Sequence, residues 1–238
     1  MFTIKLCRVL IEVDNRFSYV EKLCRDYIVV ESRETPDFRV SVSLGELRDY
    51  ISRVSRPMTE GEAESYLLYR KICGQMPAYG AFLLHAAIIS VDGKGYAFSA
   101  VRGGGKTTHV SMWETLFAPQ KATVINGDKP LITVDSDGGI TAWGTPWCGK
   151  EGKQVNTSVP LKAICFLEKG ALNQIWEIDT ADGVARMLAS TMLPPTRELQ
   201  DAMAYLVGIT LKHTPAYILS CRPDAEAAML SYRILTKH

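Results

Sequence analysis

Residues 103–108, Gly103-Gly104-Gly105-Lys106-Thr107-Thr108, set three glycines before a lysine and two hydroxyls. Consecutive glycines let backbone N–H groups close around an anion with no Cβ in the way, and a helix starting at the lysine adds its positive end. Such a cradle suits a nucleotide triphosphate, whose about four negative charges need neutralising. In that chemistry Lys106 pairs with the β- and γ-phosphates and the Thr107 hydroxyl ligates Mg2+. Arg102, just before the glycines, either reaches a phosphate or points into water. The common phosphate-loop pattern G-x-x-x-x-G-K-[ST] is met at Gly105-Lys106-Thr107, but Ala100 stands at its first glycine. Alanine is acceptable there provided its φ stays negative. The bland alternative is a glycine-rich start to a helix with an exposed lysine. The order of an apolar strand, glycines, Lys-Thr-Thr and an apolar helix favours the phosphate site.

A phosphate loop of this kind needs a second metal anchor, usually a carboxylate at the end of a neighbouring strand. Asp128, in ATVINGDKPLI, is that candidate, against a plain turn aspartate in Asn-Gly-Asp-Lys. Lys129 beside it either neutralises phosphate or is solvated. Trp147-Cys148-Gly149-Lys150 forms another suggestive cluster. Lys150 suits charge developing on a transferred phosphoryl group, and Cys148 is read as a packed thiol rather than a nucleophile.

These residues need strands and helices to place them. Segments 82–90 and 95–100 read as a hairpin turning at Asp92-Gly93-Lys94, its second strand running into the glycines. Beyond Lys106, Val110, Trp113, Leu116 and Phe117 recur at helical spacing, which predicts a helix with Trp113 in the core and His109 on the solvated face. Segment 122–126 is a further strand, and Leu131–Asp135 with Gly139–Trp143 a second hairpin. Strand character at 161–168 and 173–178 predicts another pair. Helices follow over 184–193 and 198–212, split at Pro194-Pro195, then a strand at 216–221 and a helix from Asp224. In the N-terminal part, 2–13 and 38–44 alternate as half-buried strands, 19–27 is more helical, and 60–72 reads as a helix. The polar stretch 52–59, with Pro57, is a plausible seam, giving an N-terminal β-rich subdomain over 1–59 and a nucleotide-binding core over 60–238. Hairpins among parallel-type units imply a mixed sheet, so the fold class is α/β (α+β).

Composition narrows the function classes. The 238 residues are 47% hydrophobic, enough for one sizeable core with a small appendage. With 27 Lys plus Arg against 26 Asp plus Glu, no global field draws the chain to nucleic acid or an anionic membrane. No stretch approaches the roughly 18 apolar residues of a membrane span. Six scattered cysteines without zinc-ligand spacing read as reduced thiols, and the chain as cytoplasmic.

Taken in order, LLHAAIISVDGKGYAFSAVRGGGKTT, VINGDKPLI, GTPWCGK and VPLKAICFLEKG resemble the HPr kinase and phosphoenolpyruvate carboxykinase superfamily, over about residues 60–238. The resemblance implies a mixed sheet carrying ATP and Mg2+, with Asp128 on the metal. The family's kinases have two adjacent aspartates where this chain has Gly127-Asp128, which leaves the base unassigned. It also places a histidine on the strand before the loop, and so offers His85, either to accept the hydroxyl proton or to orient the γ-phosphate. Read from its own surroundings, a lone histidine in FLLHAAII is a satisfied core residue. The expected activity is a Mg2+-dependent kinase moving the γ-phosphate of ATP to a hydroxyl of a small molecule or of a serine in a peptide or protein. The rival is a nucleotide-binding switch or peptide-binding module without turnover. The acceptor, and whether the chain forms a homo-oligomer, stay open.

Overall fold

A computed structural model describes residues 1–30 and 34–237, so residues 31–33 of the expected N-terminal subdomain and the terminal His238 lie outside the described residues. The N-terminal part holds β1 (Phe2–Leu6), β2 (Val9–Asp14), α1 (Ser18–Cys24), β3 (Phe38–Ser41), α2 (Leu44–Arg53) and α3 (Glu60–Gln75). The apolar alternation of residues 2–13 is two strands rather than one, paired antiparallel about a turn where Cys7 takes φ 55°. β3 then joins β2 in parallel at the edge of this three-stranded sheet. Sequence reading passed over α2, whose start is fixed by a reciprocal capping box between Ser43 and Glu46. Thr59 and Glu62 cap α3 in the same way. Ile4, Ile11, Val40 and Leu47 pack with Leu68 and Ile72 of α3 in one core.

The larger sheet contains β4 (Ala81–Leu83), β5 (Ala86–Val91), β6 (Lys94–Ser99), β7 (Thr123–Asn126), β8 (Leu131–Val134), β9 (Ile140–Trp143), β10 (Ser158–Lys169), β11 (Gln174–Glu177) and β12 (Ala216–Cys221). Its order is β4-β8-β9-β10-β6-β5-β7, with β12 and then β11 joined to β10. The early residues of the 12-residue β10 pair antiparallel with β9, and its later ones lie between β6 and β12, parallel to both. The pairing expected between 161–168 and 173–178 is therefore corrected: β12 stands between β10 and β11. A strand about forty residues further along the chain takes the slot that a local hairpin would have filled, because two helices return it to the sheet.

The helices α4 (Lys106–Leu116) and α7 (Ala225–Leu235) cover one face, and α5 (Thr180–Ala189) and α6 (Arg197–His213) the other. Burial on both faces explains the unbroken apolar run of β5: Ala86 and Ile88 pack toward α5 and α6, Ala87 and Ile89 toward α4. α5 starts earlier than its apolar pattern suggests, because Asp179 caps its N-terminus, and it ends at Ala189. No described helix is long and apolar enough to cross a membrane. All six cysteines are free, and Cys24, Cys73, Cys148 and Cys165 are buried.

His109 departs from its expected solvated position and is buried at 2% exposure. Its Nε2 lies 2.9 Å from Ser231 Oγ, which also accepts from Trp113 Nε1 and donates to the Ala228 carbonyl. Ser231 has no second proton to give, so His109 Nε2 is the donor and Nδ1 carries no proton and no partner. Burial pulls the His109 pKa down to about 4. Between that value and the unfolded value near 6.5, the unfolded chain binds the proton and the folded one does not, so stability is intact above the upper limit and falls as pH drops. Urea midpoints should accordingly show a loss of roughly 2 kcal/mol from this residue on going from pH 7 to pH 5. His109→Gln should flatten that part of the profile, and an unchanged slope in the variant would refute the assignment.

Candidate active site

Three chain segments meet at one end of the large sheet because of strand direction. β5 runs antiparallel to both β6 and β7, so the start of β5 and the ends of β6 and β7 lie together. His85 precedes β5, the glycine loop follows β6, and Asp128 follows β7. Binding crevices in open α/β sheets form at such strand ends.

Each of the three glycines has its own reason. Gly103 and Gly105 take φ of 75° and 94°, and a Cβ on either would meet open space, so backbone conformation is the requirement. Gly104 is required by closeness: a Cβ there would come within 2.9 Å of Ala100 Cβ and of the Val101 carbonyl, to which Gly104 N also donates. Ala100 is not among the positive-φ residues, so alanine fits the first-glycine position. Gly105 begins α4 without any side chain capping it. The first-turn amides thus have neither an intrahelical acceptor nor a side-chain cap. Thr107 and Thr108 are exposed in this turn, as is Arg102 before it.

Asp128 is the centre of the cluster. Lys106 Nζ donates to its Oδ1 at 2.6 Å and His85 Nε2 lies 3.1 Å from the same oxygen, while Lys129 Nζ stands 3.9 Å from Oδ2. Burial by itself would raise the Asp128 pKa; hydrogen bonds from His85 and Lys106, with the Lys106 charge, outweigh it and hold the carboxyl well below its usual range. An ionised carboxylate has no proton to offer, so His85 Nε2 donates and, in neutral imidazole, Nδ1 keeps the lone pair. His85 is thus not a satisfied core residue: its side chain is 43% exposed. It interrupts what looked like one strand from 82 to 90, separating β4 from β5. Its backbone is pinned on both sides, its N–H donating to the Ser190 carbonyl and its carbonyl accepting from Ser99 Oγ.

Asn126 is the residue sequence reading missed. Fully buried, it donates through Nδ2 to the Thr145 carbonyl and accepts through Oδ1 from the amides of Asp128 and Lys129. This Asx-type turn sets the direction of the Asp128 side chain, and the Asn-Gly-Asp-Lys run was its available signal. Cys148 and Gly149 pack against the same turn, so that a Cβ on Gly127 would meet the Cys148 carbonyl at 2.9 Å. Burial pushes the Cys148 thiol pKa up, as expected of a packed thiol. Lys150 is exposed at the end of this loop and joins no ion pair among the described residues. Lys129 extends over the Tyr69 ring at 4.9 Å. Beside His85 opens a cleft of about 280 Å3, lined also by Tyr66, Tyr69, Lys129, Ser190 and Met192.

Two lysines, Lys106 and Lys129, face the one carboxylate, and the exposed Arg102 and Lys150 lie on the two loops that flank it in sequence. Among the described residues no group of three or more His, Cys, Asp and Glu side chains is arranged to hold a metal. A metal here would need oxygens from its ligand as well as from Asp128 and Thr107.

No curated protein matches this chain. Among solved structures, the HPr(Ser) kinase/phosphatase from Coxiella burnetii aligns with 66% of this chain and 89% of its own, at 10% identity and a TM-score of 0.38. The sequence profile of a family described as "SynChlorMet cassette protein ScmC" matches residues 65–203, a stretch that takes in His85, the glycine loop, Asn126 and Asp128. That span is more than half of the chain, and the protein belongs to the ScmC family.

Proposed function

We propose that this protein binds ATP with Mg2+ and transfers the γ-phosphoryl group to a hydroxyl. The observation that carries the reading is the meeting of Lys106, at the uncapped start of a helix behind three glycines, with the ionised Asp128 and His85. The residues fit both ligands: unobstructed glycines and free first-turn amides suit phosphate oxygens, and the exposed Thr107 hydroxyl with the Asp128 carboxylate suits a hard cation. Bound Mg-ATP supplies the phosphoryl group, whose bond to the β-phosphate oxygen breaks as one to the acceptor oxygen forms.

The chain's own residues position and neutralise. Lys106, held by Asp128, turns to phosphate oxygens once these compete for it, which releases Asp128 Oδ1. His85, oriented by Asp128 through Nε2, takes the acceptor's proton on Nδ1. Lys129, Arg102 and Lys150 add positive charge around the departing and arriving oxygens. Asn126 keeps Asp128 at the angle that serves both partners. A catalyst built of placement and electrostatics is what phosphoryl transfer asks for.

Isothermal titration with Mg-ATP should show binding by the wild type and its loss in Lys106→Ala; unchanged affinity in that variant would remove the site. His85→Ala should keep ATP affinity within about threefold while slowing transfer of labelled phosphate on the order of 10²-fold or more. Equal losses in binding and transfer would deny it the base role. Asn126→Ala leaves two amides without their acceptor and should cost about 2–3 kcal/mol in urea unfolding. It should also weaken transfer although it touches no ligand, and wild-type transfer at that stability loss would show that the turn does not position Asp128.

A further inference from the structure

A second and larger groove, of about 730 Å3, lies between the N-terminal sheet and α3. One wall is β3, which pairs with β2 on one side and, among the described residues, with no strand on the other. The floor is a single face of α3, Leu67, Arg70, Lys71 and Gly74, at helical spacing. The far wall is the segment after α5, with Met192, Leu193 and Pro195. The two ends of β3 are pinned, Lys71 Nζ donating to the Ser41 carbonyl and Tyr79 Oη to the Asp37 carbonyl, and the backbone between them is an open edge. Proteins usually cover or charge such an edge, or use it to pair with an incoming strand.

The chemistry of the lining selects the occupant. Phe38, Val40, Leu67 and Met192 offer apolar surface, Arg39, Arg70 and Lys71 offer cations, and among the described residues no carboxylate lines the groove. Arg39 and Lys71 already hold acids at the rim, Glu12 with Asp14 and Glu46 respectively. Arg70 is exposed, joins no ion pair among the described residues and rests against the Tyr66 ring. An occupant carrying a carboxylate would complete it. Met192 lines both this groove and the cleft beside His85, and Arg70 of the groove rests on Tyr66, which lines that cleft.

We infer that the acceptor is a peptide segment, extended and acidic-apolar, which adds a strand to β3 and delivers a serine or threonine hydroxyl past Met192 to His85. The inference rests on the kinase reading above and names its substrate class. The hydroxyl proton passes to His85 and the phosphoryl group from ATP to the hydroxyl oxygen, leaving ADP.

A phage-displayed library of random 12-residue peptides, selected on the full chain, tests it. Enriched peptides should carry acidic residues among apolar ones, and synthetic copies bearing one serine should bind in fluorescence anisotropy. Arg70→Glu should weaken that binding tenfold or more, Arg70→Lys should largely restore it, and neither should alter ATP affinity. Methylation of alternate amide nitrogens in the peptide should abolish binding, since strand addition uses the main chain. Absence of enrichment, or binding indifferent to both changes, overturns the groove. Labelling of free serine as efficient as that of the bound peptide overturns the substrate class. Failure of the wild type to bind ATP sinks the kinase reading separately, and the peptide measurements, made without nucleotide, show which of the two has failed.

Discussion

Everything at this site depends on one half-buried carboxylate kept ionised by two donors. Taken from water alone, Asp128 would hold its proton more tightly; with Lys106 and His85 on one oxygen it gives it up. Such an arrangement is a poor way to gain stability, because the desolvation of charged groups offsets much of their attraction. Its value lies in what it fixes. An ionised Asp128 turns the Nε2–H of His85 toward itself, holds Lys106 beside the glycine loop, and leaves a second oxygen facing Lys129. Removing any one member leaves the others with an uncompensated charge or an unanchored ring.

Bringing these groups together is a matter of strand direction rather than of sequence proximity. A lysine after one strand and an aspartate after another share an end only if the strands are parallel, and a histidine before a third joins them only if that third runs the other way. The order β6-β5-β7 satisfies both conditions. The apolar character of β5 on both faces keeps this triplet in register, since α4 covers one side and α6 the other.

How much of this was legible in the chain follows from the range of each constraint. The glycine loop, its strand and its helix are consecutive, so their order alone announced them. The hairpins β5-β6 and β8-β9 carried turn residues between apolar runs and were legible for the same reason. The insertion of β12 between β10 and β11 was not, because parallel pairing across two helices leaves no local mark. His109 was misplaced because helical spacing locates one covered face, whereas α7 packs onto α4 from a second side through Ser231. Asn126 read as the last residue of an apolar strand, and only the carbonyl of Thr145, nineteen positions on, reveals its burial and its two-sided hydrogen bonding. His85 was available through family resemblance alone; its exposure depends on a strand break forced by no residue type.

The remaining question is why the core that carries the glycine loop also carries an N-terminal sheet, and α3 supplies the physical answer. One side of this helix is sealed into the N-terminal core, where Glu64, fully buried, accepts from the amides of Arg16 and Phe17. The loop that braces Asp128 docks on the same helix, Trp147 Nε1 donating to Ser65 Oγ and its ring packing on Tyr69 at 5.1 Å. Tyr69 in turn supports Lys129, and Tyr66 lines the cleft. A single rigid helix therefore sets the distance between the open edge of β3 and the ionised carboxylate. Hinged or loop-borne elements would let that distance vary, and the peptide proposed to lie along β3 could not then present a hydroxyl to His85 in a fixed register. With α3 capped at Thr59 and bonded through the adjacent Glu64 and Ser65, the binding proposed along the sheet edge and the chemistry proposed at the sheet end would be a single geometric operation.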